Sequence, residues 1–381
     1  FNIGTPFNGT GIASNPGAQA NLNLLPERQE SYELGLEMSF LNRRVGFDVS
    51  YYNNQNINQI TAIPLSTSTG YSQALLNAGT IENKGIEVQF NATPFKTTDF
   101  KWDLNLNWTQ NKSLVVELLN GIENLQLASL QGGISINATP GQPYGTIRGS
   151  DFIYADNGQP IINQTGSASR IGTYQRTGSS NNVIGDINAD WKAGLNNSFT
   201  YKNLNLSFLL DMQKGGDVFS LDTWYGYATG MYDFSAANNE LGNPVRDIVT
   251  GTPGNYGANS GGVILPGVAP DGTTNTVRAN ANIYANAWGY ARAPNKLHVY
   301  DAGYIKLREA SLTYNFGAKT LDRLPFTTAS LSIIGRNLWI IDKNTPYSDP
   351  EAGLSSGNVQ GYQSGAYPSI REIGASLKLQ F

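Results

Sequence analysis

From Ile373 to Phe381 the chain alternates without a break. Ile373, Ala375, Leu377, Leu379 and Phe381 fall on one side, with Gly374, Ser376, Lys378 and Gln380 on the other. Successive side chains of a strand point to opposite faces, so this period of two predicts a β-strand with one apolar and one polar face. The same pattern recurs along the chain. Tyr32, Leu34, Leu36, Met38 and Phe40 alternate with Glu33 and Glu37; after the turn Asn42-Arg43-Arg44, Val45, Phe47, Val49 and Tyr51 alternate with polar or small residues. Ile86, Val88 and Phe90 stand against Glu87, Gln89 and Asn91, and Trp102, Leu104, Leu106 and Trp108 against Asp103, Asn105, Asn107 and Thr109. The clearest hairpin joins 191–201 to 204–212 through Lys202-Asn203. Strands return at 304–316, where the phase slips near Arg308-Glu309 as at a β-bulge, and at 329–338. A further hairpin is expected at 144–153 and 159–163 around the turn Asp156-Asn157-Gly158.

With that hairpin included, eleven strands result, and their connections sort into two kinds. Short links at 42–44, 95–100, 154–158, 202–203 and 317–326 alternate with long ones at 53–82, 111–142, 164–190, 213–301 and 339–369. Strict alternation is what a meander across a membrane produces, with short turns on one side and long loops on the other. Carboxylates such as Glu33 and Glu37 are poor core residues but suit a wet lumen. The expected fold is therefore all-β, an antiparallel transmembrane barrel whose apolar face meets lipid. Beyond the hairpin meander no internal repeat is visible, which disfavours a propeller.

Composition narrows the function. Only 14% of the 381 residues are charged, there is no Cys and one His, and the aromatic count is high, with 20 Tyr, 15 Phe and 6 Trp. The absence of Cys excludes a disulfide scaffold and thiolate metal sites. A net charge of −4 argues against nucleic acid, which needs a basic stripe. No run of about 18 apolar residues predicts a membrane helix. The chain opens at Phe1 without Met or a signal peptide, so it is read as part of a longer polypeptide.

Several stretches resemble the SusC/RagA family of TonB-dependent outer-membrane transporters. Leu25-Pro26-Glu27-Arg28 followed by Ser31-Tyr32-Glu33-Leu34-Gly35-Leu36-Glu37 is similar to a strand opening of that family. Further likenesses are Asn77-Ala78-Gly79 with Asn83-Lys84-Gly85-Ile86-Glu87, Ile184-Gly185-Asp186 with Asp190-Trp191, and Gln213-Lys214-Gly215-Gly216-Asp217-Val218. Tyr304-Ile305-Lys306-Leu307-Arg308-Glu309, and Gly335-Arg336-Asn337-Leu338 with Ser348-Asp349-Pro350-Glu351, complete the series. Six such words in order imply the C-terminal half of a 22-stranded, plugged transporter barrel. On that reading residues 1–30 are loop and the end of a preceding barrel segment, 31–381 are barrel, and the plug domain and TonB box lie outside this segment. The resemblance implies import of an oligosaccharide or peptide across the outer membrane of a Gram-negative bacterium. Its expected partners are a SusD-like surface lipoprotein, TonB and outer-membrane lipid. Where many members carry an extended Asp/Asn-Gly-Asp-Gly run, this chain has only Asp156-Asn157-Gly158-Gln159-Pro160, read as a tight turn and not as a calcium site. Alternatives are a barrel without an import role (a porin, an adhesin or a secretion channel) and a soluble all-β carbohydrate-binding protein.

The candidate residues follow from these patterns. Trp224, Tyr225, Tyr227, Tyr232 and Phe234 cluster in the longest loop, where flat rings beside Asn and Asp suit sugar or peptide binding, or else pack the loop. Glu33, Glu37, Glu87 and Asp103 are expected to face the lumen, contacting either substrate or the plug and water. Lys306, Arg308 and Glu309 read as structural ion pairs, and Gly215-Gly216 as loop geometry. No catalytic residue, cofactor or metal is expected: Ser and Asp are present without a positioned base, and His298, with no Cys and no second His, reads as an ordinary loop residue.

Overall fold

The structure is a computed structural model and describes residues 2–14, 17–119, 121–282, 287–289, 292–322, 324–353 and 357–381. Its frame is one antiparallel sheet of nine long strands. These are β1 (Arg28–Phe40), β2 (Val45–Ile57), β3 (Gly79–Lys96), β4 (Phe100–Leu118), β5 (Ala189–Tyr201), β6 (Leu204–Gly215), β7 (Tyr304–Asn315), β8 (Thr328–Lys343) and β9 (Glu372–Gln380). Each pairs with its neighbours in chain order, so the sheet is a plain meander. The register carries one apolar row across many strands: Met38, Phe47, Phe90, Leu106, Leu195, Leu210 and Leu307 are successive partners. The row beside it is polar, running Glu37, Asp48, Gln89 and Asn107. Cross-strand pairs of this kind hold the register, because a one-residue slip would exchange the faces.

The apolar face has no protein cover. Leu34 is 72% exposed, Leu377 62% and Ile333 58%, whereas the largest fully buried side chains, such as Phe219, Ile136 and Leu265, lie in the connections. A sheet dissolved in water would bury its apolar face on a core. Here the buried clusters sit among the loops, one around Phe219, Ile147 and Tyr362 and another around Tyr227, Leu265 and Trp288. None of the described helices is long and apolar enough to cross a membrane.

The strand count corrects the sequence reading: the continuous sheet has nine strands among the described residues, not eleven. The turn at Asp156-Asn157-Gly158 forms, with Gly158 at φ 77°, its N–H donating to the Ala155 carbonyl (2.8 Å), and Asn157 Oδ1 accepting from the Gln159 N–H (3.0 Å). Its flanks do not enter the barrel. Thr146–Gly149 pairs instead with Ile134–Ala138 and Asn182–Asp186 in a separate four-stranded sheet, and Tyr154 meets Pro160 only at an isolated bridge. All four residues of Thr146–Gly149 are buried, which neither a lipid-facing nor a lumen-facing strand permits. Removing the pair leaves the alternation of links intact: 41–44, 97–99, 202–203 and 316–327 are short beside 58–78, 119–188, 216–303 and 344–371.

The expected slip on β7 is a bulge at Arg308. Leu209 and Leu210 of β6 pair with Glu309 and Leu307, leaving Arg308 as the extra residue. The bulge keeps Ile305 and Leu307 on the same face as Ala310 and Leu312, which strict alternation could not do.

Candidate functional site

The long connections fold together at one end of the sheet and onto its polar face. The strongest tie starts from the Arg308 bulge. Lys306 Nζ lies 2.5 Å from Asp349 Oδ1 and 2.5 Å from Glu351 Oε2, while Arg308 pairs with Asp211 on β6 and with Glu351 at 2.8 Å. The Tyr304 hydroxyl donates to Glu351 at 3.1 Å, and Asp349 also accepts from the Ser369 hydroxyl at 2.8 Å. Glu309 pairs with Arg336 at 3.0 Å, so all three charges read as structural ion pairs do pair. Burial pushes the Asp349 carboxyl up, but the Lys306 ammonium and the Glu351 and Ser369 donors outweigh that and hold it at about 2. Glu351 is lowered by Lys306 and Arg308 against the same burial penalty.

A second tie joins two loops to each other. After Gly215 and Gly216, both at positive φ (71° and 79°), Asp217–Ser220 pairs antiparallel with Val299–Asp301 and parallel with Tyr362–Gln363. Helix α1 (Leu221–Thr229) follows, capped by the Ser220 side chain accepting from the Thr223 N–H and closed by Gly230 in the left-handed region. Asp222 accepts from the Gly365 N–H at 2.8 Å and from the Gln363 side chain. This helix was not foreseen, although Ser220 and Gly230 mark its two ends by type.

The structure divides the five predicted aromatics. Tyr227 is buried, with its hydroxyl 3.0 Å from that of Tyr300, and serves as loop core. Trp224 and Tyr225 are half-buried and pack against the cluster around Phe219. Tyr232 stacks on Tyr347 with ring centroids 4.1 Å apart, and Asp233 accepts from the Tyr347 hydroxyl at 2.6 Å. Phe234 and Tyr347 remain exposed, so an open aromatic surface is formed from two loops. Phe234 also stands edge-on to Trp288 at 5.2 Å.

His298 corrects the reading of an ordinary loop residue, because it is fully buried. Nε2 lies 2.9 Å from the Trp288 carbonyl, which places the proton there and leaves Nδ1 to accept from the Thr223 hydroxyl at 3.1 Å. Burial lowers its pKa to about 3, so it is a neutral structural pin. Among the described residues no group of three acidic or histidine side chains could hold a metal ion.

Between the polar face and the loops lies a cavity of about 620 Å³, lined by Asn111, Trp191, Lys192, Gln213, Asp217 and Glu351 among others. Burial raises the Asp217 carboxyl, whose oxygen accepts from the Asp186 N–H at 2.9 Å. The chamber mixes polar walls with apolar ones such as Ile187, Trp191 and Val218, and can hold a ligand through hydrogen bonds, charge and apolar contact. Glu33, Glu37 and Glu87 are exposed in polar rows of the sheet and do not line it, although Glu87 pairs across the strands with Thr109, which does. Asp103, half-buried, accepts from the Thr93 hydroxyl at 2.8 Å and pairs with Lys101 at 2.8 Å.

Comparison with known proteins points the same way as this geometry. Residues 2–121 match the family described as TonB dependent receptor-like, beta-barrel. TonB-dependent receptor P3 of Formosa agariphila is 26% identical over 95% of this chain and 35% of its own length. TonB-dependent receptor SusC of Bacteroides thetaiotaomicron is 28% identical over 54% of this chain and 21% of its own length. In fold, all of this chain superposes on 38% of a chain in the structure of the RagAB peptide importer in the closed-closed state, with a TM-score of 0.68 at 15% identity. The chain spans about a third of the length of the curated relatives that it matches over nearly its whole extent. A meander with an uncovered apolar face and its loops gathered on the polar side, together with these matches, makes the chain similar to part of a TonB-dependent receptor β-barrel.

Proposed function

We propose that this chain is the C-terminal half of the barrel of an outer-membrane importer, with its long loops forming the outer face. The importer takes up a bulky nutrient, an oligosaccharide or peptide, with energy relayed by TonB and with a SusD-like lipoprotein over the loops. The plug and TonB box belong to the rest of the polypeptide, and residues 1–30 to its junction with the preceding barrel segment. The observation that carries this reading is the uncovered apolar belt backed by loops fixed on the polar side, since lipid outside and a gated lumen inside require both. The same belt counts against a soluble carbohydrate-binding protein. The chemistry is binding and gating, with no catalytic residue. Glu33, Glu37, Glu87 and Asp103 line the lumen. Phe234 and Tyr232, with Tyr347, offer the ring surface for substrate or lipoprotein; Trp224, Tyr225 and Tyr227 hold that surface in place.

Deleting 217–235 would test the loop too bluntly, because it removes Phe219 and Leu221 from the loop core. Phe234→Ala combined with Tyr347→Ala is cleaner. In the full receptor, cells relying on it for an oligosaccharide or peptide carbon source should lose growth while the barrel still inserts. Unchanged growth would remove the aromatic surface from the reading; growth that persists without TonB would remove the importer.

A further inference from the structure

One charged cluster takes no part in the ties above. Arg170, Arg176 and Arg292 line a single pocket of about 370 Å³ in the loop assembly, beside Asn163, Thr173 and Gln175. Arg176 sits where its backbone bridges Phe152, and the Ile153 N–H donates to the Gln175 carbonyl at 3.1 Å. Arg170 closes a turn in which its N–H donates to the Ser167 carbonyl (2.8 Å) and its own carbonyl accepts from the Thr173 hydroxyl (2.6 Å). Thr173 and Tyr174 are buried beneath, with the Tyr174 ring edge-on to Phe152 at 5.0 Å. The floor is therefore packed, and three guanidinium groups converge above it from three separate stretches.

Among the described residues these cations have no counter-ion within ion-pair distance, and none of the three makes a side-chain hydrogen bond. The structural arginine of the same loops behaves differently: Arg246 directs its guanidinium to the carbonyls of Ser235, Ala228, Ala281 and Tyr227. Burial and then the charges of Arg292 and Arg170 lower the pKa of Arg176, with no carboxylate acting against them. Arginine does not give up its proton in proteins, so the repulsion stays until an anion relieves it. Guanidinium forks match carboxylate and sulfate oxygens two at a time.

We propose that this pocket binds the acidic group, a carboxylate or sulfate, of an anionic saccharide. An extended acidic peptide is disfavoured because the strand edges here are already used. The N–H groups of Ile161, Asn163 and Gln175 donate to the carbonyls of Ile153, Thr173 and Ile161. The Gln175 amide at the rim gives sugar hydroxyls a partner. As a binding site the pocket stands alone; as a subsite for transported substrate it rests on the importer reading.

The test uses the full receptor purified in detergent, titrated calorimetrically with oligogalacturonate, a sulfated oligosaccharide, a neutral malto-oligosaccharide and tetraglutamate. The acidic saccharides should bind in a salt-sensitive way, and inorganic sulfate should compete. Arg170→Gln with Arg176→Gln should weaken them by about tenfold or more, as expected for lost hydrogen bonds to charged groups. Arg176→Lys, which keeps the charge but loses the fork, should weaken them less, and a melting profile equal to the parent's excludes misfolding. Absent binding of acidic saccharides in the parent, or binding unaltered in the double variant, overturns the site, and equal binding of tetraglutamate or the neutral sugar overturns its saccharide or anion preference. Binding without uptake in cells would leave the site and remove the importer.

Discussion

Lys306 and Asp349 meet at 2.5 Å with both side chains only 4% exposed. One lies on a barrel strand and the other in a loop, so their pairing is the pin that folds the loop 344–371 over the polar face. Replacing Lys306 by Met would leave Asp349 buried without its cation. Breaking a buried pair on one side costs about 3–5 kcal/mol. The expected outcome is that a protease cuts within 344–371 in intact Lys306→Met receptor but not in the parent. Equal resistance would show that the other contacts suffice.

The same pair sets an acid limit. The ordinary Asp value is 3.8 and Asp349 is held at about 2, with Glu351 also lowered. A carboxyl whose folded pKa is depressed contributes its full stability above the ordinary value and loses it as pH falls toward the folded one. The loop should therefore loosen between about pH 4 and pH 2. Digestion with pepsin across that range should show cleavage in 344–371 rising as pH falls, and Asp349→Asn should flatten the rise.

His298 sets a milder limit for the loop core. Its pKa falls from 6.5 to about 3 on burial, so the unfolded form takes up a proton that the folded form refuses. The stability it contributes is complete above pH 6.5 and declines as pH drops below it. Thermal unfolding of the loops should shift downward between pH 7 and pH 5. His298→Phe should abolish that dependence while lowering stability throughout, because Thr223 and the Trp288 carbonyl lose their partner.

The long strands were legible because each residue of β1–β9 answers to only two environments, lipid or lumen, and that binary choice writes itself as alternation. Even the irregularity at Arg308 was visible as a phase slip. The loops have no such rule. Thr146–Gly149 looked like barrel because its neighbourhood held a good turn at Gly158, yet burial on both faces belongs to a loop sheet. His298 and the Asp349 pin depend on contacts across 75 and 43 positions, which no local period records. Helix α1 was legible in part, through the Ser220 cap and Gly230 stop, but its nine residues are too few for a periodic signal. Among the aromatics, position in the longest loop was readable, whereas the split between buried Tyr227 and exposed Phe234 depended on packing.

The central claim is that one face of the sheet meets lipid and the other a wet lumen. Ser207 and Phe208 are neighbours on β6 with opposite faces, Ser207 bonded to Ser311 across the polar side and Phe208 paired with Asn197 and Ala310 on the other. This chain contains no Cys, so in a receptor whose remaining polypeptide has had any Cys replaced, Ser207→Cys and Phe208→Cys can each be labelled singly after reconstitution in bilayers. The account predicts that a fluorophore on position 208 is quenched by nitroxide-labelled lipid, while one on 207 is quenched by a water-soluble agent. Equal quenching of both by the aqueous agent would contradict the barrel.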